Sequence, residues 1–234
     1  MRERQQGRAA PRRAAYTVDV AVLTSLGDEL AVRICPLPGG AAAGARERWM
    51  LPWGSPLDDE TLEASARRIA VDACGVDPTW LEQTSAFDDE RRHPAAAELS
   101  LLFVAVVPQG TATADECGDD AHWAPVSKVP PLAPRQRAML DAALADVRTR
   151  IDHAPVAFRL LPPTFTLSEL QEMYELLLDR PLHKASFRRS LQAARIVEAT
   201  DEWRSEGRAR PAQLFRYAPR QRLGAWRGVR FDAL

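Results

Sequence analysis

Residues 54–76 read GSPLDDETLEASARRIAVDACGV, a loop rich in glycine, proline and acidic residues followed by a helical pattern. The apolar residues recur at helical spacing, which predicts an amphipathic helix over 57–76. They are Leu62, Ala66, Ile69, Ala70 and Ala73. The acidic residues 58–60 would suit the positive N-terminal end of this helix, and Gly75 stands where a helix commonly stops.

Strand patterns lie on both sides of this helix. The runs YTVDVAVLTS (16–25) and ELAVRICPL (29–37) are separated by Gly27-Asp28, which predicts a β-hairpin. LSLLFVAVVP (99–108) predicts a buried strand, and further elements are expected at 121–126 (strand) and 135–150 (helix). Together they predict a mixed α+β sandwich over 16–150.

The second half has a different pattern. TLSE (166–169) is a capping box, in which the threonine and glutamate side chains satisfy backbone N–H groups at a helix start. An apolar stripe follows, formed by Leu170, Met173, Tyr174, Leu177 and Leu178. DRP (179–181) ends that helix, a second helix is predicted over 184–194, and two short strands (195–200 and 213–217) enclose a polar turn at 201–211. This order predicts a winged helix-turn-helix.

Charge is distributed unevenly between the two halves. The chain has a net charge of −1, but residues 1–149 carry 16 basic and 22 acidic side chains, whereas residues 150–234 carry 15 and 10. A basic C-terminal module predicts a polyanionic partner. Charge alone leaves a solvated helical face open as the alternative.

The basic residues of the second C-terminal helix share one face. Phe187, Leu191 and Ala194 mark the buried side, and the opposite side carries Lys184, Arg188, Gln192 and Arg195, with Ser186 and Arg189 beside them. Such arginines can pair with phosphates or bind guanine N7 and O6. The turn adds Arg204, Arg208 and Arg210. A basic helix joined to a basic ribbon favours nucleic acid over a helical pair with surface arginines.

Other chemistry is not indicated. The three cysteines lack metal-ligand spacing, and His93, His122, His153 and His183 are isolated in the sequence. There is no P-loop, no G-x-G-x-x-G and no nucleophile elbow. The scattered, odd-numbered cysteines favour a reducing cytoplasm. No signal peptide and no apolar run of about 18–20 residues is recognised in the sequence. Residues 1–15 are expected to form a disordered basic arm.

The segment 54–76 resembles the Nudix box, G-x5-E-x7-R-E-U-x-E-E-x-G-U, where U is apolar. The matching residues are Gly54, Glu60, Arg68, Gly75 and Val76. The resemblance implies that Glu60 and Arg68 brace the loop against the helix. The three glutamates that hold magnesium in Nudix enzymes would stand on one helical face, where this chain has Ile69, Asp72 and Ala73.

These departures imply a Nudix scaffold without its metal cage, so that no catalysis and no required cofactor are expected. Rescue of the metal site by Glu63, Glu90 or Glu98 is the alternative. Without a cation, the charge of a diphosphate would have to be met by donors drawn from Arg33, Arg46, Arg48 and Arg67. Trp53 would either stack on a base or ribose or simply pack as an aromatic.

The two halves together resemble the NrtR family, the Nudix-related transcriptional regulators of NAD metabolism, from about residue 17 to residue 217. The resemblance is carried by PVAFRLLP (155–162), FTLSELQEMYELLLDRPLHKASFRRSL (165–191) and GRARPAQLFRY (207–217), although Ala209 stands where glycine is expected. It implies a Nudix-like α/β/α sandwich at 16–152 that senses ADP-ribose or a related NAD metabolite. A winged helix at 153–220 and a tail at 221–234 would follow.

The resemblance further implies a homodimeric repressor that binds a palindromic operator in double-stranded DNA, releases it when the effector binds, and needs no membrane. The expected DNA contacts are Lys184, Ser186, Arg188, Arg189, Gln192, Arg208 and Arg210. The expected effector contacts are Arg33, Arg48, Trp53, Gly54 and Arg67. Two alternatives remain: a residual Nudix hydrolase with a rearranged metal site, and an interaction module that does not bind DNA.

Overall fold

The computed structural model describes residues 16–37, 48–110, 121–152, 154–205 and 211–218. The N-terminal half contains β1 (Tyr16–Leu26), β2 (Glu29–Pro36), β3 (Trp49–Met50), β4 (Trp53–Gly54), α1 (Leu62–Cys74), β5 (Trp80–Phe87), β6 (Leu99–Val106), β7 (His122–Pro125), a 3-10 helix (Val126–Lys128) and α2 (Pro134–Arg150). The C-terminal half contains α3 (Val156–Leu160), β8 (Thr164–Phe165), α4 (Leu167–Leu178), α5 (Lys184–Ala194), β9 (Val197–Arg204) and β10 (Ala212–Tyr217). The expected arm, the expected tail, Arg208 and Arg210 lie outside the described residues.

A mixed sheet forms the centre of the N-terminal half. Its described strands run in the order β3-β2-β1-β6-β5, with β4 also paired to β1 and β7 to β2. The central strands β1 and β6 are parallel, whereas β1 and β2 form the predicted antiparallel hairpin. Gly27 has a φ of 60° at the hairpin turn, a left-handed conformation that glycine adopts without steric cost.

One helix covers each face of this sheet. Side chains alternate along a strand, so Val18 and Val20 of β1 pack with Ala66 and Ile69 of α1. Leu23 belongs to the cluster on the opposite face, which includes several α2 side chains. The predicted α/β/α sandwich is therefore confirmed.

The first helix begins later than the pattern predicts. Thr61 is its N-cap, and the Thr61 hydroxyl accepts a hydrogen bond from the Ala64 N–H at 3.1 Å. The prediction of helix from residue 57 is therefore wrong, because residues 57–60 form a loop ahead of this cap and the acidic residues lie outside the first turn. The end is as expected: Gly75, with φ 71°, donates its N–H to the Val71 carbonyl.

The winged helix-turn-helix is present, and its capping box has the predicted contacts. The Thr166 hydroxyl accepts from the Glu169 N–H at 3.1 Å, and the Thr166 N–H donates to a Glu169 carboxylate oxygen at 2.6 Å. The strands form a small sheet in the order β8-β10-β9. Strand β9 extends to Arg204, so the first residues of the predicted turn are extended instead.

Several described elements have no counterpart in the sequence prediction: the short strands β3 and β4, the 3-10 helix, β5, α3 and β8. In β5 the register shifts between Gln83 and Ser85, and such a bulge breaks the alternation by which a half-buried strand is recognised. The others have two to five residues each and are too short to show a period.

A single apolar cluster joins the sheet to the winged helix. It includes Leu140 and Val147 of α2, Phe158 of α3, and Tyr174 and Phe187 of the winged helix. Helix α3 is also tied to the sheet by backbone groups, since the Gln109 N–H donates to the Leu160 carbonyl at 2.8 Å. Because interiors are close-packed, a displacement on one side of this cluster is felt on the other.

No helix in the described ranges is long and apolar enough to cross a membrane.

Candidate functional sites

Helix α5 presents a basic face above a buried core. Phe187 and Leu191 are 0% and 2% exposed, so the helix is fixed by its apolar side. Lys184, Arg188, Arg189, Gln192 and Arg195 are exposed, and Ser186 is half-buried. We call these six residues the α5 basic face; it places together the five sequence-predicted contacts of this helix.

The α5 basic face is not neutralised by acidic side chains in the described part of the chain. Within the face, an Arg189 NH2 group lies 3.4 Å from the Ser186 hydroxyl, which is a weak contact. Guanidinium groups held on a rigid helix and left in water are suited to phosphate oxygens and base edges. The face can therefore bind a polyanion without first breaking ion pairs.

The prediction that Arg204 contributes to this surface is wrong. Its guanidinium forms an ion pair with Glu169, the capping-box residue of α4, and an NH2 group lies 3.4 Å from the Thr164 carbonyl. Arg204 therefore fixes the wing to the start of α4 rather than facing a ligand. Its neighbour Trp203 is 61% exposed.

The loop before α1 is braced by a bidentate ion pair, as the motif implied. Arg68 donates Nε to Glu60 Oε1 at 2.9 Å and NH2 to Glu60 Oε2 at 2.8 Å. The Ser65 hydroxyl and the Leu57 N–H also donate to Glu60. These donors, Arg68 first, lower the pKa of Glu60 to about 2, and the same contact raises the pKa of Arg68.

The positions that would hold magnesium have other contacts. Ile69 is 5% exposed and packs so tightly on Gly54 that a Cβ there would lie 3.2 Å from Ile69 Cδ1. Ala73 is 8% exposed. Asp72 points to solvent, and its nearest cation is an Arg68 nitrogen at 4.0 Å. One exposed carboxylate does not make a magnesium site, which needs several oxygen ligands in strict geometry.

The rescue residues do not complete such a site. Glu63, Glu90 and Glu98 are all exposed. Among the residues that the structure describes, no three His, Cys, Asp or Glu side chains converge on a point that could hold a metal ion. The residues present therefore do not fit the magnesium cage of the Nudix enzymes.

The expected effector donors occupy different environments. Arg67 is paired with Asp77 at 2.7 Å, Arg48 is exposed, and Arg46 lies outside the described residues. Arg33 is buried: its Nε donates to the Ala73 carbonyl at 2.7 Å, and its guanidinium lies 5.5 Å from the centre of the Trp123 ring. The described arginines of this set therefore differ in burial and in partners.

Trp53 lies at the junction between the loop and the sheet. It is half-buried, its indole N–H donates to the Met50 sulfur at 3.1 Å, and its ring meets that of His93 edge-on at 5.4 Å. Packing therefore engages one side of the ring. Gly54, the next residue, receives Ile69 as described above.

A buried polar network behind Trp53 was missed by the sequence prediction. Asp19 is 0% exposed and accepts hydrogen bonds from His93 Nε2 at 2.9 Å, Gln136 Nε2 at 2.8 Å and the Thr17 hydroxyl at 2.8 Å. His93 Nδ1 accepts from the Ala95 N–H, so Nε2 carries the proton donated to Asp19. The prediction that His93 is isolated, made from its position in the sequence, is therefore wrong.

Helix α2 closes this network from the other side. Gln136 exchanges hydrogen bonds with the backbone of Leu51, accepting from its N–H at 3.1 Å and donating to its carbonyl at 3.3 Å. Arg135, 3% exposed, donates to the carbonyls of Ala97 and Asp89. The start of α2 therefore fixes both the β3–β4 segment and the loop that carries His93. No spacing signal marks these residues.

Known proteins match the winged helix by itself and most of the chain as a whole. Residues 157–217 match the family model described as the NrtR DNA-binding winged helix domain. The chain is 30% identical over 175 residues to the ADPR responsive transcriptional repressor NtrR of Acinetobacter baylyi, covering 73% of this chain and 70% of that protein.

Solved structures agree with this match. The crystal structure of Shewanella oneidensis NrtR complexed with a 27mer DNA superposes with a TM-score of 0.74 at 26% identity, covering 87% of this chain and 94% of that chain. A MutT/nudix family protein of Enterococcus faecalis superposes with a TM-score of 0.71 at 19% identity, covering 88% of each chain, which shows a shared fold.

Proposed function

The chain belongs to the NrtR family, and we propose on that basis that it is a DNA-binding transcriptional repressor. Its N-terminal Nudix-like domain binds ADP-ribose or a related nucleotide, and binding releases the operator. The repressor acts as a homodimer on a palindromic site, because paired recognition helices related by a two-fold axis require a two-fold DNA sequence. In bacteria such as those of the matched relatives, chromosomal DNA lies in the cytoplasm, and we place the protein there.

The observation that carries this proposal is the α5 basic face. Its cations lie on the exposed side of the second helix of a helix-turn-helix, the element that enters the major groove in this class. Lys184, Arg188 and Arg189 are exposed, and the core beneath them is closed by Phe187 and Leu191. Their substitution should therefore change binding without changing the fold.

Release by an effector requires that the two sites share a conformational equilibrium. An effector lowers operator affinity only when it binds another arrangement of the protein more tightly than the DNA-competent one. The apolar cluster from α2 through α3 to α4 provides a packed route between the halves. A coupling of about 1–3 kcal/mol would change operator affinity about 5- to 150-fold.

We further propose that the Nudix-like domain senses rather than hydrolyses its ligand. Ile69 and Ala73 offer no carboxylate, and Asp72 alone is exposed to solvent. A sensor that leaves its ligand intact reports the ligand concentration for as long as the ligand is present. Cleavage of ADP-ribose in the presence of magnesium, abolished by Asp72→Ala, would instead establish a hydrolase.

A gel-shift titration tests the repressor proposal, with DNA from upstream of the protein's own gene as the probe. Arg188→Ala and Arg189→Ala should each weaken binding by about 1–3 kcal/mol, and loss of a phosphate contact should reduce the log–log salt slope by about 1. Arg137→Ala is the matched control, because Arg137 is an exposed arginine of α2 paired with Asp141.

The control removes the same charge from a surface away from α5, so it should bind as the wild type does. Wild-type affinity in the double variant Arg188→Ala/Arg189→Ala would contradict DNA recognition by α5. Equal weakening by Arg137→Ala would reduce the effect to net charge.

A further inference from the structure

Arg33 is a buried cation whose charge is not matched by an acidic side chain in the part of the chain that the structure describes. The residue is 1% exposed, and its NH1 group has no hydrogen-bond partner. No carboxylate in the described part of the chain forms an ion pair with it. Arg135, the other arginine buried among the described residues, also has an unpaired donor, Nε. Its charge is matched, however, because Nε lies 3.6 Å from a carboxylate oxygen of Asp89 and the guanidinium donates to two carbonyls.

The contacts that Arg33 does make account for only part of its guanidinium. Nε donates to the Ala73 carbonyl, one of the last carbonyls of α1, which lack partners within the helix. A cation there also interacts favourably with the helix dipole, and the Trp123 ring lies at cation–π distance. These contacts hold Arg33 in place but leave NH1 unused.

A permanent cation with an unused buried donor calls for an anion. Arginine remains protonated in proteins, buried charges are normally paired, and an unsatisfied buried donor indicates a functional role or an absent partner. A phosphate oxygen supplies both the negative charge and the acceptor.

We propose that Arg33 is the anion-binding centre of the Nudix-like domain, where its NH1 pairs with a phosphate of the effector without a divalent cation. The inference rests on the proposed effector response, and it names the group that recognises the ligand. It also singles out Arg33 from the other expected donors, because Arg67 is paired with Asp77 and Arg48 is exposed.

The position of Arg33 supports effector binding without magnesium. Its Nε contacts Ala73, and one helical turn earlier Ile69 packs on Gly54. A divalent cation beside the end of α1 would meet the fixed positive charge of Arg33, and like charges repel. Arg33 therefore disfavours a metal ion next to it.

Burial of Arg33 also links binding to movement. An anion reaches NH1 only when the side chains that cover it shift, so the ligand favours a rearranged packing between α1 and the sheet. Trp123 lies against the guanidinium and should report this change through its fluorescence.

The experiment is a calorimetric titration of the full chain with ADP-ribose, inorganic pyrophosphate and adenosine, each in magnesium and in EDTA. ADP-ribose should bind the wild type equally in both buffers, pyrophosphate should compete with it, and uncharged adenosine should not. Arg33→Met should weaken ADP-ribose binding about 10-fold or more, the loss expected for a charged hydrogen bond. Arg137→Met, the exposed control, should bind as the wild type.

The outcomes separate this inference from the proposed function. Wild-type binding that requires magnesium, or Arg33→Met binding ADP-ribose as the wild type does, overturns the role of Arg33. If Arg33→Met does not fold, two other measurements decide the same question. The wild type should bind ADP-ribose in EDTA, and the fluorescence change that the ligand causes in the wild type should be lost in Trp123→Phe. A gel shift without ligand tests the repressor proposal separately. Arg33→Met should still bind DNA. If the wild type itself does not shift the DNA, the repressor proposal fails instead.

Discussion

Replacement of Gln136 by methionine tests whether the network behind Trp53 holds the β3–β4 segment in place. Gln136 is 0% exposed. It forms two hydrogen bonds with the Leu51 backbone and one with the Asp19 carboxylate, and its Nε2 also lies 3.5 Å from His93 Nε2. Methionine has a similar size and a similar helix propensity, so the change removes the hydrogen bonds and little else.

The expected loss follows from these contacts. Each neutral hydrogen bond to Leu51 contributes about 1 kcal/mol, and the one to the ionised carboxylate about 1.5–3 kcal/mol. Asp19 retains His93 and Thr17 as donors, so its charge stays partly compensated. We expect Gln136→Met to lower the free energy of unfolding by about 3–5 kcal/mol.

Urea unfolding followed by tryptophan fluorescence measures this difference from the midpoint and slope of the transition. Gln192→Met is the matched control, since Gln192 lies in helix α5 but is exposed; its effect should stay within about 0.5 kcal/mol. If Gln136→Met costs less than about 1 kcal/mol, the network does not stabilise the segment as argued.

Three further predictions concern the helix ends. Arg68 and its neighbours lower the pKa of Glu60 from 4.5 to about 2. Ionised Glu60 therefore stabilises the fold above pH 4.5, and this contribution is lost as the pH falls towards 2. In urea titrations over that pH range, Glu60→Gln should lose less stability than the wild type. Gly75→Ala should cost about 1–2 kcal/mol in thermal unfolding, because Gly75 has a φ of 71° and alanine is strained there. Thr166→Ala should cost about 1 kcal/mol by removing the cap of α4, whereas Thr166→Ser should restore the melting temperature; equal losses in both variants would argue against the cap.

Features that depend on residues adjacent in the chain were predictable from the sequence. The capping box at Thr166, the stripe of α4, the buried side of α5 and the hairpin at Gly27 each follow from local spacing and local hydrogen bonding. The exposed position of Arg188 follows as well, because it lies opposite Phe187 and Leu191 on the same helix.

What only the tertiary structure decided is which distant side chains meet. Asp19 and His93 are 74 residues apart, and Asp19 and Gln136 are 117 apart; nothing in either neighbourhood marks the pairing. The same holds for two arginines that looked alike as ligand donors. Arg204 is tied to Glu169, 35 residues away, whereas Arg33 is buried against Ala73, 40 residues away, with one donor left unpaired.

The physical reason is that helix and strand patterns record only whether a residue faces the core or the solvent. Composition and spacing therefore determined the elements, the scaffold and the basic helix face. The partner of a buried charge depends on how sheet, helices and loops pack in three dimensions, and that packing alone decided which cation is neutralised and which remains able to receive an anion.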